Sequence, residues 1–239
     1  MEQLMHISRE TLSILKNFRD LNSNILISPG NVIKTLTGAK NVMSTAVVEE
    51  NFPVEFGIWD LTSFLGTVSL FDDPDFDFHE KYVTITNGKS SKVKYFYSEP
   101  TLLTVPTKDV VMPNTVVSLT LDESAFSELK KAGSVLGLTD LTIKSDGSDV
   151  SATLYDKSNA GSNTYSISID DVEFEDGAVF NFDFNIDNLR FIPGSYTVNI
   201  AEKIVSEFVN ADGIDLTYWV ALEATSSYTM ETVTTGASA

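Results

Sequence analysis

The sequence has no cysteine and only two histidines, His6 and His79, in 239 residues. The first absence excludes disulfide scaffolds, thiolate zinc sites and cysteine nucleophiles. The second leaves a histidine-based catalytic centre little to work with, and neither histidine stands at a spacing from Ser or Asp that marks a triad. There is no GxxxxGKS or GxGxxG segment, so any nucleotide hydrolysis has to come from a partner. No uncharged apolar run is long enough to span a bilayer, and the first thirty residues lack the apolar core of a signal peptide. A soluble, intracellular protein is therefore expected, with no membrane partner. Positive charge is scarce too: 16 Lys and Arg stand against 34 Asp and Glu, for a net charge of −18 at pH 7. That sign is opposite to an ordinary nucleic-acid-binding domain, so any contact with DNA must be local.

What is present is enough apolar material for a core. Hydrophobic residues make up 42% of the chain and aromatics 10%, which suits one large core or two modest ones of roughly 100 to 150 residues each. ISRETLSILKNFRDLN reads as an amphipathic helix with Ile7, Ile14, Phe18 and Leu21 on one side and Leu15 beside them. Ser8 is its expected N-cap, although the glutamate of a full capping box would fall at Thr11 and is missing. NILISPGNVIKTLTG reads as a hairpin turning at Pro29 and Gly30, and WDLTSFLG as a short helix with Asp60 at its N-cap. Residues 98–113 carry three prolines and no clear period, as a linker does. A second amphipathic helix follows in SLTLDESAFSELKKAGSVLG. Thr120 and Glu123 are spaced as its capping box, and Ala125, Leu129, Ala132 and Leu136 form its apolar stripe. LTIKSDGSDVSATLYD is a second hairpin, turning at Asp146 and Gly147.

The order thus repeats: helix, hairpin, strands, short helix, strands, with IDNLRFIPG as the second short helix. Ser8 and Asp122 are 114 positions apart, and Gly30 and Gly147 are 117 apart. Two domains are expected, 1–107 and 108–239, with a mobile Ser/Thr-rich tail from about residue 225.

Four segments carry a resemblance: LKNFRDLNSNILISPG, VEFGIWDLTSFLGTVSLFDD, FNIDNLRFIPGSYTV and YWVALEA. In their order and spacing the chain resembles the sliding clamps of T-even-type bacteriophages, the processivity factors of the phage DNA polymerase. The resemblance implies an α+β DNA-clamp fold, two similar domains each with antiparallel sheets and two helices, assembling as a homotrimer into a closed ring whose helices face the hole. It implies no enzymatic activity and no cofactor. The implied partners are double-stranded DNA, the DNA polymerase, an ATP-dependent clamp loader and phage late-transcription factors, in the cytoplasm of the infected bacterial host. A phage structural or tail β-rich module is the alternative, and an acidic carbohydrate-active enzyme a third reading that no feature demands.

A clamp must hold DNA without stopping on it, which calls for weak contacts to phosphates and no base readout. Arg9, Lys16 and Arg19 of the first helix, Lys130 and Lys131 of the second, and Arg190 of the last short helix are the candidate pore residues. Taken singly, each would be an ordinary solvated helix charge. Leu102, Leu103, Val105 and Pro106 of the connector, with Trp219 on a late strand, either anchor partner peptides or pack the domains together. Lys92 and Lys94 of KVKYFY either guard a strand edge or face solvent. The acidic runs Asp72, Asp73, Asp75, Asp77 and Asp170, Asp171, Glu173, Glu175, Asp176 read as solvated loop and strand positions. The first lacks the glycine and terminal glutamate of a calcium loop.

Overall fold

The computed structural model describes residues 4–88 and 91–230, and the chain divides into two units. The first comprises the residues to Val110 with Arg190–Ile192 and Gly213–Tyr218; the second comprises Val111–Leu189, Pro193–Asp212 and the residues from Trp219 onward.

The first unit runs β1 (Met5–His6), α1 (Arg9–Leu21), β2 (Ile25–Ile27), β3 (Gly30–Leu36), β4 (Val42–Phe52), β5 (Phe56–Ile58), α2 (Leu61–Val68), β6 (Asp75–Phe78), β7 (Tyr82–Thr86) and β8 (Lys92–Phe96). Helix α1 starts where the Ser8 side chain accepts a hydrogen bond from Thr11 N, and it buries Thr11, Ile14, Leu15 and Phe18. Leu21, expected on the same face, is only half-buried. Helix α2 starts at Asp60, whose Oδ1 accepts from Thr62 N at 2.9 Å and Ser63 N at 3.1 Å. Both caps satisfy backbone N–H groups that have no partner within the helix.

Strands β1, β6, β7 and β8 form an antiparallel sheet in the order β1-β6-β7-β8. The last of these is an edge, with Lys92 and Lys94 exposed along it and the Lys94 ammonium 3.5 Å from the centre of the Tyr82 ring. The expected hairpin at Pro29–Gly30 does not form. β2 pairs with β5, Ile25 opposite Ile58, while β3 pairs with β4. Pro29 has no N–H for a ladder, and Gly30 at φ +118° turns the chain out of one pairing and into the next.

The second unit runs β9 (Thr115–Leu121), α3 (Glu123–Leu136), β10 (Asp140–Asp146), β11 (Val150–Tyr155), β12 (Tyr165–Ile169), β13 (Glu173–Phe174), β14 (Ala178–Asn185), β15 (Tyr196–Ala201), β16 (Val205–Asn210), the end of β17 (Leu216–Ala221) and β18 (Ser227–Met230). One sheet has the order β12-β11-β10-β14-β18, and β13, β9, β15 and β16 lie side by side in another. The β10–β11 hairpin forms as expected, with Ser145 opposite Val150.

Three expectations are corrected in this unit. The N-cap of α3 is Asp122, which accepts from Ala125 N at 2.7 Å. Thr120 stays in β9 opposite Thr197, where a β-branched residue suits the ladder. The buried stripe of α3 is Phe126, Leu129 and Gly133, because Leu136 lies in the last turn and is 38% exposed. Gly133 is close-packed: a Cβ there would lie 3.1 Å from the Leu138 carbonyl and 3.3 Å from Ile186 Cδ1. IDNLRFIPG holds only a single 3₁₀ turn, Ile186–Asn188, since Arg190–Ile192 leave to join the first unit. Within the tail expected from about 225, Ser227–Met230 form β18 on the edge of β14. Residues 231–239 lie outside the described residues.

Candidate nucleic-acid interface

Five of the six basic residues expected to meet DNA are carried by capped helices, α1 in the first unit and α3 in the second. On α1, Arg9 and Lys16 are exposed. Arg19 is half-buried, and its guanidinium is engaged by the neighbouring Asp20, Nη2 at 2.8 Å and Nε at 3.0 Å from Oδ1. Arg9 and Lys16 line a cleft of about 400 Å³ whose far wall includes Leu65, Val68 and the loop residues Asp72 and Asp73. The positive face of α1 is therefore met by two carboxylates across a narrow gap.

Arg190 is not on a helix, but the first unit brings it to α1. Its carbonyl accepts from Asn17 Nδ2 at 2.7 Å, across 173 residues of sequence. Asn17 Oδ1 accepts from Tyr218 OH at 2.7 Å, and the same hydroxyl accepts from Ile192 N at 3.2 Å. The Phe191 ring stacks on Tyr218, centroids 4.1 Å apart and planes 17° from parallel. The Arg190 side chain is exposed, while its backbone is held to Asn17, the residue after Lys16 on α1. Asn17 and Tyr218 are thus positioning residues that sequence reasoning missed. The one signal was Tyr218 at the edge of the YWVALEA segment.

In the second unit Lys131 is exposed and Lys130 half-buried, its ammonium 5.3 Å from the centre of the Phe126 ring. Both line a groove of about 340 Å³ with Glu123, Ser127, Pro193 and Gly194. Counted from their N-caps, Ser8 and Asp122, Lys16 and Lys130 occupy the same helical position. Each follows a buried leucine, Leu15 or Leu129. Both helices thus place a buried leucine and then a lysine at the same distance from their caps.

The connector is docked onto the first unit. Ser98 N donates to the Gly57 carbonyl at 2.9 Å, Thr104 N donates to Asn24 Oδ1 at 3.0 Å, and Asn22 Nδ2 donates to the Thr104 carbonyl at 3.0 Å. Leu103 presses on Gly57 so closely that a Cβ at that glycine would lie 2.7 Å from its Cδ1. Val105 and Pro106 are half-buried, whereas Leu102 is 62% exposed. Trp219 belongs to the second unit, half-buried, with Nε1 donating to Glu207 Oε1 at 3.1 Å.

Residues 119–224 match a family model described as "gp45 sliding clamp, C terminal". Over 223 residues the chain is 29% identical to a protein named "Sliding clamp" from Vibrio phage KVP40, covering 92% of this chain and all of that one. It is 25% identical to the sliding clamp of Escherichia phage RB69, over 94% of this chain and 99% of that one. The chain is similar to phage sliding clamps over nearly its whole length. Among solved structures, the proliferating cellular nuclear antigen of Entamoeba histolytica superposes with a TM-score of 0.64 at 13% identity, covering 89% of this chain and 94% of that one. The fold is the DNA-clamp fold, built of antiparallel sheets and few helices. The family match runs from within β9 to the residues before β18.

Proposed function

We propose that the chain is a DNA sliding clamp: three copies close into a ring around duplex DNA and tether the replicative polymerase for processive synthesis. The observation that carries this reading is the lysine repeated at one helical position in both units, on a chain similar to phage sliding clamps. Five of the 16 Lys and Arg lie on α1 and α3; on an otherwise acidic protein these helices attract phosphate more than the rest of the surface does, which favours threading over side-on adhesion. Lys16, Arg9 and Arg190 in one unit and Lys130 and Lys131 in the other make the phosphate contacts; Arg19, already engaged by Asp20, contributes least. The contacts are to backbone only, so the protein slides.

The clamp does no chemistry of its own. A separate ATPase opens and loads it, in the cytoplasm of the infected bacterial host, and polymerase and late-transcription factors attach through short peptides. Leu102 and its connector neighbours are the proposed anchor for such peptides on the first unit, and Trp219 on the second.

Light scattering across a concentration series tests the assembly. Three subunits of 26.2 kDa give a particle of roughly 79 kDa by simple addition, as closed cyclic symmetry requires. A monomer at every concentration, with no stimulation of the cognate polymerase, overturns the proposal. Charge reversal at Lys16, Lys130 and Lys131 together is expected to lower loading onto DNA while leaving the melting temperature within about 2 °C, since exposed and half-exposed helix charges add little to stability.

A further inference from the structure

The last strand stands apart from the rest of the second unit. β18 lies beyond residue 224, where the family match stops, and pairs along β14 with Asn181 opposite Ser227 and Ala178 opposite Met230. None of its four residues is buried, so it adds little to the core. What it covers is apolar: Phe180 and Phe182 are 2% and 0% exposed. The Tyr228 ring lies nearly parallel to both, with centroids 6.4 Å away.

The attachment of this segment depends on one buried carboxylate. Asp183 is 4% exposed, and its Oδ2 accepts from Thr225 Oγ1 at 2.6 Å and from Asn181 Nδ2 at 2.8 Å. Its Oδ1 accepts from Tyr155 OH at 3.3 Å. Its backbone N donates to Ser226 Oγ and its carbonyl accepts from Glu223 N, each at 2.9 Å. Lys157 ties the root of the segment, its ammonium 3.1 Å from Asp140 and 3.7 Å from Glu223. The segment is therefore pinned at its root and held along its length by a single one-sided ladder. A strand with no buried side chain and one neighbour belongs to the low-stability end of a fold.

We propose that Glu223–Met230 is a strap that gives way to an extended strand of a partner, which adds to the edge of β14 in place of β18. The strap specifies the chemistry of that partner, because the ladder along β14, the Phe180 and Phe182 rings and the Asp183 hydrogen bonds that hold it would hold the partner too. The partner presents an aromatic residue at the position of Tyr228, lying over Phe180 and Phe182, and Ser or Thr hydroxyls two and three residues earlier for the Asp183 region. It carries no proline in the paired stretch, which would remove a ladder donor. It is not acidic there, because Glu175 and Glu202 already press on the Tyr228 hydroxyl and, after burial, are what raise its pKa. Main-chain pairing supplies affinity and the aromatic supplies selectivity, as in other strand additions. Nothing in this inference depends on DNA binding.

The probe is a fluorescent peptide with the sequence of residues 222–230, LEATSSYTM, added to the full chain. Anisotropy is compared for the wild type and for a Thr225→Ala, Ser226→Ala, Tyr228→Ala variant, whose own strap competes poorly. The peptide is expected to bind the variant about tenfold more tightly, because the wild type must first release its strap. A peptide with alanine at its tyrosine should lose that binding. Equal binding to both proteins, or none to the variant, overturns the proposal. If the variant does not fold, hydrogen exchange on the wild type decides: the amides of 227–230 should exchange about a hundredfold faster than those of β10 and β11. Equal protection overturns it.

Discussion

Glu50 does from 42 residues away what a capping-box glutamate does within a helix. The first turn of α1 has Ser8 as its cap but Thr11 where the glutamate would stand. From β4, the Glu50 carboxylate accepts hydrogen bonds from Ser8 N and from Thr11 Oγ1. The residue is 8% exposed. Burial pushes its pKa up, yet the hydrogen bonds from Ser8 N and Thr11 outweigh burial and hold it below its ordinary value. A carboxyl with a depressed folded pKa contributes stability that is present above its unfolded pKa and is lost as pH falls through the folded one. The urea midpoint of the wild type should therefore fall on acidification through and below the ordinary carboxylate range, and Glu50→Gln should flatten that slope. Glu50→Ala leaves Ser8 N without its acceptor and is expected to cost about 1–3 kcal/mol at neutral pH. An unchanged urea midpoint would show that water replaces the carboxylate at no cost. Ser8 was legible in the sequence because a cap is a local pattern. Glu50 was not, because its partner is supplied by the tertiary fold.

Elements set by short-range chemistry were the readable ones. Helices α1 and α2 and the β10–β11 hairpin each carry their periodicity and their cap or turn within a few residues. The failures share a cause: a longer-range competitor. Ile25 and Ile27 are apolar enough for any strand, and it is the pairing with β5 that claims them from the neighbouring β3. Thr120 has the chemistry of an N-cap but is held in β9 by its ladder to β15, so the next competent side chain, Asp122, starts α3. Asp122→Ala is accordingly expected to lower stability by about 1 kcal/mol, whereas Thr120→Ser should change it by a few tenths through strand propensity alone. A thermal-melt comparison of the two checks the assignment, and reversal of their order would return the cap to Thr120. The basic residues of the candidate interface were legible as charges opposite apolar stripes. The place of Arg190 was not, because it depends on Asn17 and Tyr218 rather than on a helix of its own.

At the scale of the whole molecule, a net charge of −18 means that the few exposed cations act against a repulsive background. Asp72 and Asp73 share the α1 cleft with Arg9 and Lys16 and so oppose phosphate at the proposed DNA-facing surface. Replacing both by Asn should raise affinity for duplex DNA by about two- to tenfold at low salt, and the gain should fade as salt screens it. A gain that persists at high salt would point to a changed loop rather than to charge.

The first unit includes residues 190–192 and 213–218 as well as the run up to Val110. Its architecture therefore constrains biosynthesis. While the chain is being made, α1 emerges 201 residues ahead of the Tyr218 hydroxyl that donates to Asn17. The helix must wait, partly unclothed, for that whole stretch, and folding of this unit is completed only after most of the other unit has been synthesised. Contacts this distant in sequence close slowly. A nascent chain stalled before residue 213 should accordingly remain sensitive to proteolysis around α1, and release of the full length should protect it.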